Sequence, residues 1–432
     1  MDSTIEGGLT VLSDTTTPVV VLVTHHHVGI GIARSLGRLG VSVYGVDADR
    51  FSPFFFSRYC RGKAVWDLHH EPTESTLTRL KDLAHKIGRR ALLIPTSDIG
   101  AMFVAEHADR LADEYLFPRQ APALIRSLCS KREMYYLARK WNVPTPETSF
   151  PQSRGDVLDY LGHARFPILV KPIYNLVPGL KPWRMTVVNS REELLARYDS
   201  VEDPAHPNVM LQEYIPGGDE MTWTFNGYFD ANSKCLVAFT GRKLRNFPAY
   251  FGQASLAVCV NNEHVRNMTI KFMENIGYVG PLDLGYRYDT RDGKYKVNDI
   301  NPRVGAMFRV FVGENGIDVV RAEYQDLTGQ AVTPSAAPEG RKWVVEDVDI
   351  LSSIRYWRDG NLTLAQWMNS LRGVRELTFL AADDPLPLVA ACIMDLRRGW
   401  RDRTGASKLK THIGTKLSPA PPISDISIGH GR

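Results

Sequence analysis

The chain has 432 residues, 44% of them hydrophobic, enough for two or three packed domains because single cores seldom grow past about 250–300 residues. A formal charge of only +4, with no long Lys/Arg block in the body of the chain, excludes a dedicated nucleic-acid binder and leaves small anionic ligands open. Five scattered cysteines (Cys60, Cys129, Cys235, Cys259 and Cys392), none in a CxxC pair, exclude a disulfide framework or a cysteine zinc site and read as reduced core residues.

Residues 1–17 are rich in Thr, Ser, Gly and acids and lack the basic start and apolar core of a secretory signal. No apolar run reaches the roughly 18–20 residues of a membrane span, so the expected location is the cytoplasm, with a flexible start to the chain. The apolar run 19–23, a Gly-containing turn, a helical pattern over 30–39 and a second apolar run over 41–46 ending in Asp47 predict a βαβ unit with a buried parallel sheet. A helix over about 74–88 and a strand over 91–94 continue the pattern, so residues 18–125 read as an α/β domain. Thr96-Ser97-Asp98 follows that strand at the carboxyl edge, where open α/β sheets bind ligands.

Two louder motifs carry less. Gly29-Ile30-Gly31 resembles a dinucleotide fingerprint, but Arg34 occupies the third glycine position. His25-His26-His27 are adjacent on a turn, where side chains diverge, so substrate contact fits them better than zinc.

From Ser130 a helix carries Lys131, Arg132 and Tyr135 and stops at Val143-Pro144-Thr145-Pro146. Strand-like runs at 167–171, 184–188, 208–215, 221–229, 235–240, 279–288 and 295–300 alternate with helices over 191–199 and 263–276, an α+β region with much antiparallel sheet. Residues 343–402 read as helical, with Leu386 to Arg403 a packed terminal helix with a basic end, or alternatively an interfacial helix weakly associated with a membrane surface. The tail 404–432 loses periodicity and reads as disordered.

Three segments carry chemistry. Phe166-Pro167-Ile168-Leu169-Val170-Lys171-Pro172 is a strand ending in a lysine. Met210 to Ile215 is a strand running into the Gly217-Gly218 turn, with Asp219 and Glu220 following. Asp283 to Asp289, an Asp292-Gly293 turn, and Tyr295 to Arg303 predict a hairpin with Asp283 on one strand and Asp299 and Asn301 sharing a face of the other. Three oxygen ligands on one surface suit Mg²⁺, and Arg303 on the same face suits a developing anion.

These residues, and Asp299-Ile300-Asn301-Pro302-Arg303 above all, resemble the ATP-grasp superfamily, in particular its carboxylate–amine ligases related to D-aspartate ligase and the large chain of carbamoyl-phosphate synthetase. The resemblance runs from about Pro18 to about Arg398. It implies a lid over about 131–210, a central antiparallel-sheet domain over about 211–332, a helical extension over 333–403, and a Rossmann-like domain in front.

It also implies that Lys131 and Lys171 hold nucleotide phosphates, that Gln212, Glu213, Tyr214 and Ile215 form the adenine hinge, and that Glu220 binds the ribose. Asp299 and Asn301 match metal ligands, and Arg303 matches the arginine on the acyl phosphate. The other metal acid of many relatives falls on Gly285, so Asp283 is its expected substitute. Arg242, Lys243 and Arg245, in a segment read as a basic loop, are the expected contacts to γ-phosphate and substrate carboxylate, with Arg309 a further candidate. The implied cofactors are ATP and Mg²⁺, with Mn²⁺ as a stand-in. The implied partners are a small carboxylate and an amine, in a homodimer. Bicarbonate as the acid, or a nucleotide-binding protein without turnover, are the alternatives.

Overall fold

A computed structural model describes residues 12–24, 27–173, 183, 185–250 and 252–403. The tail over 404–432, most of the stretch over 1–17, and His25 and His26 therefore lie outside the described residues.

The apolar run at the start becomes β1 (Val19–Leu22), buried on both faces, which only a strand central to a covered sheet tolerates. It is followed by α1 (His27–Gly37), β2 (Val43–Asp47), β3 (Cys60–Val65), α2 (Thr73–Ile87), β4 (Ala91–Pro95), α3 (Asp98–Glu106), α4 (Ala108–Leu111) and β5 (Tyr115–Leu116). The five strands form a parallel sheet in the order β3-β2-β1-β4-β5. Connections leave β1 and β4 in opposite directions, and the crevice beyond their carboxyl ends holds Thr24 and Thr96-Ser97-Asp98. Ser97 caps α3 by accepting from the Gly100 amide, which fixes Asp98 at the helix start. Gly29 and Gly31 lie inside α1, and a Cβ on Gly31 would meet Phe308 at 2.8 Å, so these glycines serve helix packing. Arg34 explains the incomplete fingerprint. Its buried guanidinium binds Asp384 at 2.9 Å and the carbonyls of Thr378, Phe379 and Asp384, clamping the chain's last described elements onto α1.

The middle of the chain continues with α5 (Pro122–Cys129), α6 (Lys131–Lys140), β6 (Thr148–Ser149), α7 (Arg154–Leu161), β7 (Ile168–Pro172), β8 (Thr186–Val188), α8 (Arg191–Asp199) and β9 (Val209–Glu213). Strands β6-β9-β7-β8 make a four-stranded antiparallel sheet over its own small core. This layer differs from the sequence boundaries of 131–210. Met134 and Ala138 of α6 pack with Phe225, Leu282 and Ile300 instead, while β9 extends the layer to Glu213.

The third layer is built from β10 (Thr222–Phe229), β11 (Cys235–Phe247), β12 (Gln253–Cys259), α9 (Glu263–Asn275), β13 (Gly280–Asp289), β14 (Lys294–Asn301), α10 (Val319–Leu327), β15 (Lys342–Val344), α11 (Glu346–Arg358), α12 (Leu364–Ser370), β16 (Val374–Leu377) and α13 (Leu386–Arg403). Its seven-stranded sheet runs β14-β13-β10-β11-β12-β15-β16 and is antiparallel except between β15 and β16. Two expectations change here. The segment read as a basic loop is the second half of β11, interrupted by bulges on either side of Arg245. The region read as helical contributes β15, which pairs with β12, and β16, which pairs with β15, short strands that no local pattern announces. One hydrophobic cluster runs from Val19 through Phe308 and Trp343 to Ala391, so the α/β domain, central sheet and C-terminal elements share a core. All five cysteines are free. Cys259 is buried, whereas Cys392 is exposed rather than in the core.

Candidate active site

The Asp292-Gly293 turn forms as expected, with Gly293 at φ 69°, and it sets the register of β13 against β14. Asp283 stands opposite Asn301, and Gly285 stands opposite Asp299. The Asn301 amide donates to Asp283 Oδ2 and to Asp299 Oδ2, each at 3.3 Å, and Thr224 donates to Asp283 Oδ1 at 3.3 Å. Burial pushes the Asp283 carboxyl up, while Arg303 and Lys243 pull it down. Two carboxylates bridged by one amide form a hard oxygen donor set that fits Mg²⁺ completed by phosphate oxygens. Among the described residues no group of three or more His, Cys, Asp or Glu could hold a metal.

Arg303 leaves the end of β14 and crosses to the α/β domain. Its Nε donates to Asp98 Oδ1 at 2.7 Å and its Nη2 to Asn301 Oδ1 at 3.0 Å. The Thr96-Ser97-Asp98 segment at the crevice thus meets the β13–β14 hairpin. Gly305, which sequence reasoning missed, permits this approach. A Cβ there would lie 2.5 Å from the Asp283 carboxyl carbon.

Three lysines face the hairpin. Lys171 Nζ donates to Gln212 Oε1 at 2.7 Å, and Lys131 Nζ donates to the Pro172 carbonyl at 3.1 Å. Desolvation first, then the Lys131 cation, holds Lys171 down at about 8 although Asp299 favours its charge. Lys131 and Lys243 are lowered by desolvation too, and Lys243 is drawn back by Asp283, Asp299 and Asp219. Cations kept partly destabilised in this way are poised for a polyanion. Arg242, expected at the phosphate, is instead on the opposite face of β11 from its neighbour Lys243; it lies over the Trp223 ring at 5.2 Å, and its Nε is buried without a hydrogen-bond partner.

Arg245 and Arg309 point elsewhere. Arg245 forms a buried two-pronged pair with Asp349 of α11 at 2.9 and 2.8 Å and also binds Ser370. One inserted residue, Leu244, turns it to the opposite face from Lys243. Arg309 is buried between Asp318 and Glu376. His27 is half-buried against Trp343, the ring centroids 5.3 Å apart, its Nε2 is buried without a partner, and desolvation drives its pKa down to about 4.

At the hinge, the Glu213 carboxylate is taken up by Lys296 at 2.9 Å and Arg291 at 2.8 Å, tying the four-stranded layer to the β13–β14 hairpin. Its backbone amide bonds the Glu147 carbonyl, and that of Tyr214 bonds the Pro167 carbonyl. Arg287, unmarked in sequence, donates to the carbonyls of Ile215 at 2.8 Å and Gly217 at 2.5 Å and so sets the hinge's path. Glu220 accepts from the Gly218 amide at 3.1 Å. Its neighbour Asp219 is held by Asn246 and by Tyr356 of α11.

A parallel α/β domain, a four-stranded layer and a larger antiparallel sheet, with lysines facing an Asp-Asn hairpin across a cleft, constitute the ATP-grasp fold. No family model matches the chain. Over 311 residues it is 24% identical to the D-aspartate ligase of Enterococcus faecium (strain Aus0004), covering 68% of this chain and 73% of that one. Among solved structures, N5-carboxyaminoimidazole synthetase from Staphylococcus aureus complexed with ADP superposes with a TM-score of 0.59 at 11% identity, over 82% of this chain and 99% of that one. The biotin carboxylase domain of the Hydrogenobacter thermophilus 2-oxoglutarate carboxylase, a dimer in complex with MgADP, ADP and bicarbonate, has a TM-score of 0.57 at 15% identity, over 74% and 72% of the two chains.

Proposed function

We propose that the chain is an ATP-dependent carboxylate–amine ligase, forming an amide bond through an acyl phosphate and releasing ADP and phosphate. The observation that carries this reading is Arg303, held between Asp98 of the α/β domain and Asn301 of the metal hairpin. It puts a fixed cation where the two domains meet and phosphate and substrate carboxylate would converge. Asp283, Asp299 and Asn301 would hold Mg²⁺, which neutralises charge on the phosphates when bound. Lys131 and Lys171 bind those phosphates, the backbone from Gln212 to Ile215 faces the adenine, and Glu220 takes the ribose.

The substrate carboxylate attacks the γ-phosphorus and displaces ADP. The amine then attacks the acyl carbon, loses a proton and expels phosphate. Arg303 and Lys243 meet the anion that persists through both steps, and closure of the four-stranded layer keeps water from the acyl phosphate. Likeness to D-aspartate ligase favours an amino acid as one substrate. A reading with bicarbonate as the acid draws support from the biotin carboxylase fold. Both readings place the protein with the cytoplasmic ATP pool; no helix among the described residues is long and apolar enough to cross a membrane.

The deciding experiment is ADP release by the purified protein with Mg-ATP against a panel of carboxylic acids, with and without L- and D-amino acids and with bicarbonate. Release that requires both an acid and an amine supports the ligase. Release with bicarbonate alone supports the second reading, and tight ATP binding without release under any combination sinks both.

A further inference from the structure

Helix α13 packs on the 3-10 turn Pro53–Phe56 of the α/β domain and buries Ala390, Ala391 and Met394. Its outer side carries Leu386, Val389 and Ile393, which are 59%, 55% and 46% exposed. Their spacing puts them on one stripe, and Arg397, four residues beyond Ile393, continues it. The Arg397 guanidinium sits 4.3 Å from the centre of the Phe51 ring.

Phe51 in turn lines a surface cavity of about 450 Å³ with Arg50, Phe56, Lys63 and Val65, a set of two cations, two aromatic rings and no acid. Phe56 and Val65 are themselves exposed. The apolar stripe therefore runs into a cationic, aromatic pocket. From residue 397 onward the chain adds eight Lys/Arg against two Asp. None of these residues belongs to the nucleotide cleft.

Apolar stripes flanked by cations match the boundary between lipid headgroups and acyl chains. We propose that this face docks on an anionic phospholipid surface, with Arg50, Lys63 and Arg397 meeting lipid phosphates and Phe56, Leu386, Val389 and Ile393 entering the acyl boundary. A second copy of the chain fits the face poorly, because a two-fold contact there would set the same cations against one another.

The test uses the full chain and cosedimentation with vesicles of phosphatidylcholine, alone or mixed with phosphatidylglycerol. The expected result is binding to the mixed vesicles that weakens at least about tenfold on phosphatidylcholine alone or in high salt. Two double variants, Arg50→Glu with Lys63→Glu and Val389→Ser with Ile393→Ser, each lose about tenfold or more in vesicle affinity while thermal unfolding and ATP binding stay unchanged.

Absence of binding by the natural chain overturns the proposal. So does binding that survives both variants, which would come from residues beyond 397. A dimer in solution that the Val389→Ser/Ile393→Ser variant dissociates, with no vesicle binding, would assign the face to a second copy instead.

Discussion

Arg303 Nε lies 2.7 Å from Asp98 Oδ1, although 205 residues separate the two in sequence. One end of this pair belongs to the β13–β14 hairpin and the other to the helix start at the α/β crevice. Asp98 thus orients the cation proposed to act on substrate. Asp98→Ala is expected to lower turnover about 10–100-fold with nucleotide affinity nearly unchanged, and Arg303→Ala to lower it by about a thousandfold. Steady-state ADP release beside equilibrium nucleotide binding checks both. Parallel losses of nucleotide affinity would move Arg303 from acyl transfer to ATP binding.

Gly305 and Gly285 separate two kinds of glycine. A Cβ at 305 would stand 2.5 Å from the Asp283 carboxyl carbon, whereas one at 285 comes no nearer than 3.9 Å to Asp299. Gly305→Ala should raise the Mg²⁺ concentration needed for half-maximal activity about tenfold or more, and Gly285→Ala should be close to silent. A metal titration of ADP release reads the difference.

The proposed phosphate contact of Lys171 predicts a pH-dependent nucleotide affinity. Desolvation, with Lys131 adding, holds it down at about 8, so its cation is present below that pH and lost above it. ATP affinity should therefore fall as pH rises from about 7 to 9. Lys171→Met should weaken binding at the lower end and remove most of the slope. Isothermal titration across that range decides, and an unchanged slope in the variant would assign the titration elsewhere.

Arg245 and Lys243 lie two residues apart and make opposite predictions. Arg245→Met strands the buried Asp349 carboxylate and should cost about 3–5 kcal/mol of stability. Lys243→Met should leave stability nearly unchanged and depress turnover about a hundredfold. Urea unfolding and ADP release, run on both variants, would show the two behaving alike if the bulge did not turn the side chains apart.

Glu323 on α10 is buried, one carboxylate oxygen lacks a partner, and burial raises its pKa to about 8 with Asp326 adding. Its folded value lies above its unfolded one, so folding takes up a proton. The contribution to stability is full below the unfolded value, about 4.5, and is lost as pH rises through 8. Glu323→Gln should come close to the natural protein in melting temperature below about pH 5, exceed it increasingly up to about pH 8, and keep a constant lead above that. A gap that does not widen would mean that Glu323 finds a partner when ionised.

The sequence by itself determined what local order can determine. Alternation along 295–301 and the Asp-Gly turn place Asp283, Asp299 and Asn301 on one hairpin, and continuous apolar runs announce the parallel sheet of the first domain. These rest on periods of a few residues, which short segments display whatever surrounds them. Only the tertiary structure decided which cations face the cleft. A single inserted residue turned Arg245 towards Asp349 while Lys243 kept its place near Asp283 and Asp299. It also decided that the Glu213 carboxylate serves Lys296 and Arg291, that β15 and β16 join the central sheet, and that Asp98 holds Arg303. Each of these is a choice among partners distant in the chain. Local propensity cannot rank such partners, because their energies come from burial and geometry that exist only once the layers have packed.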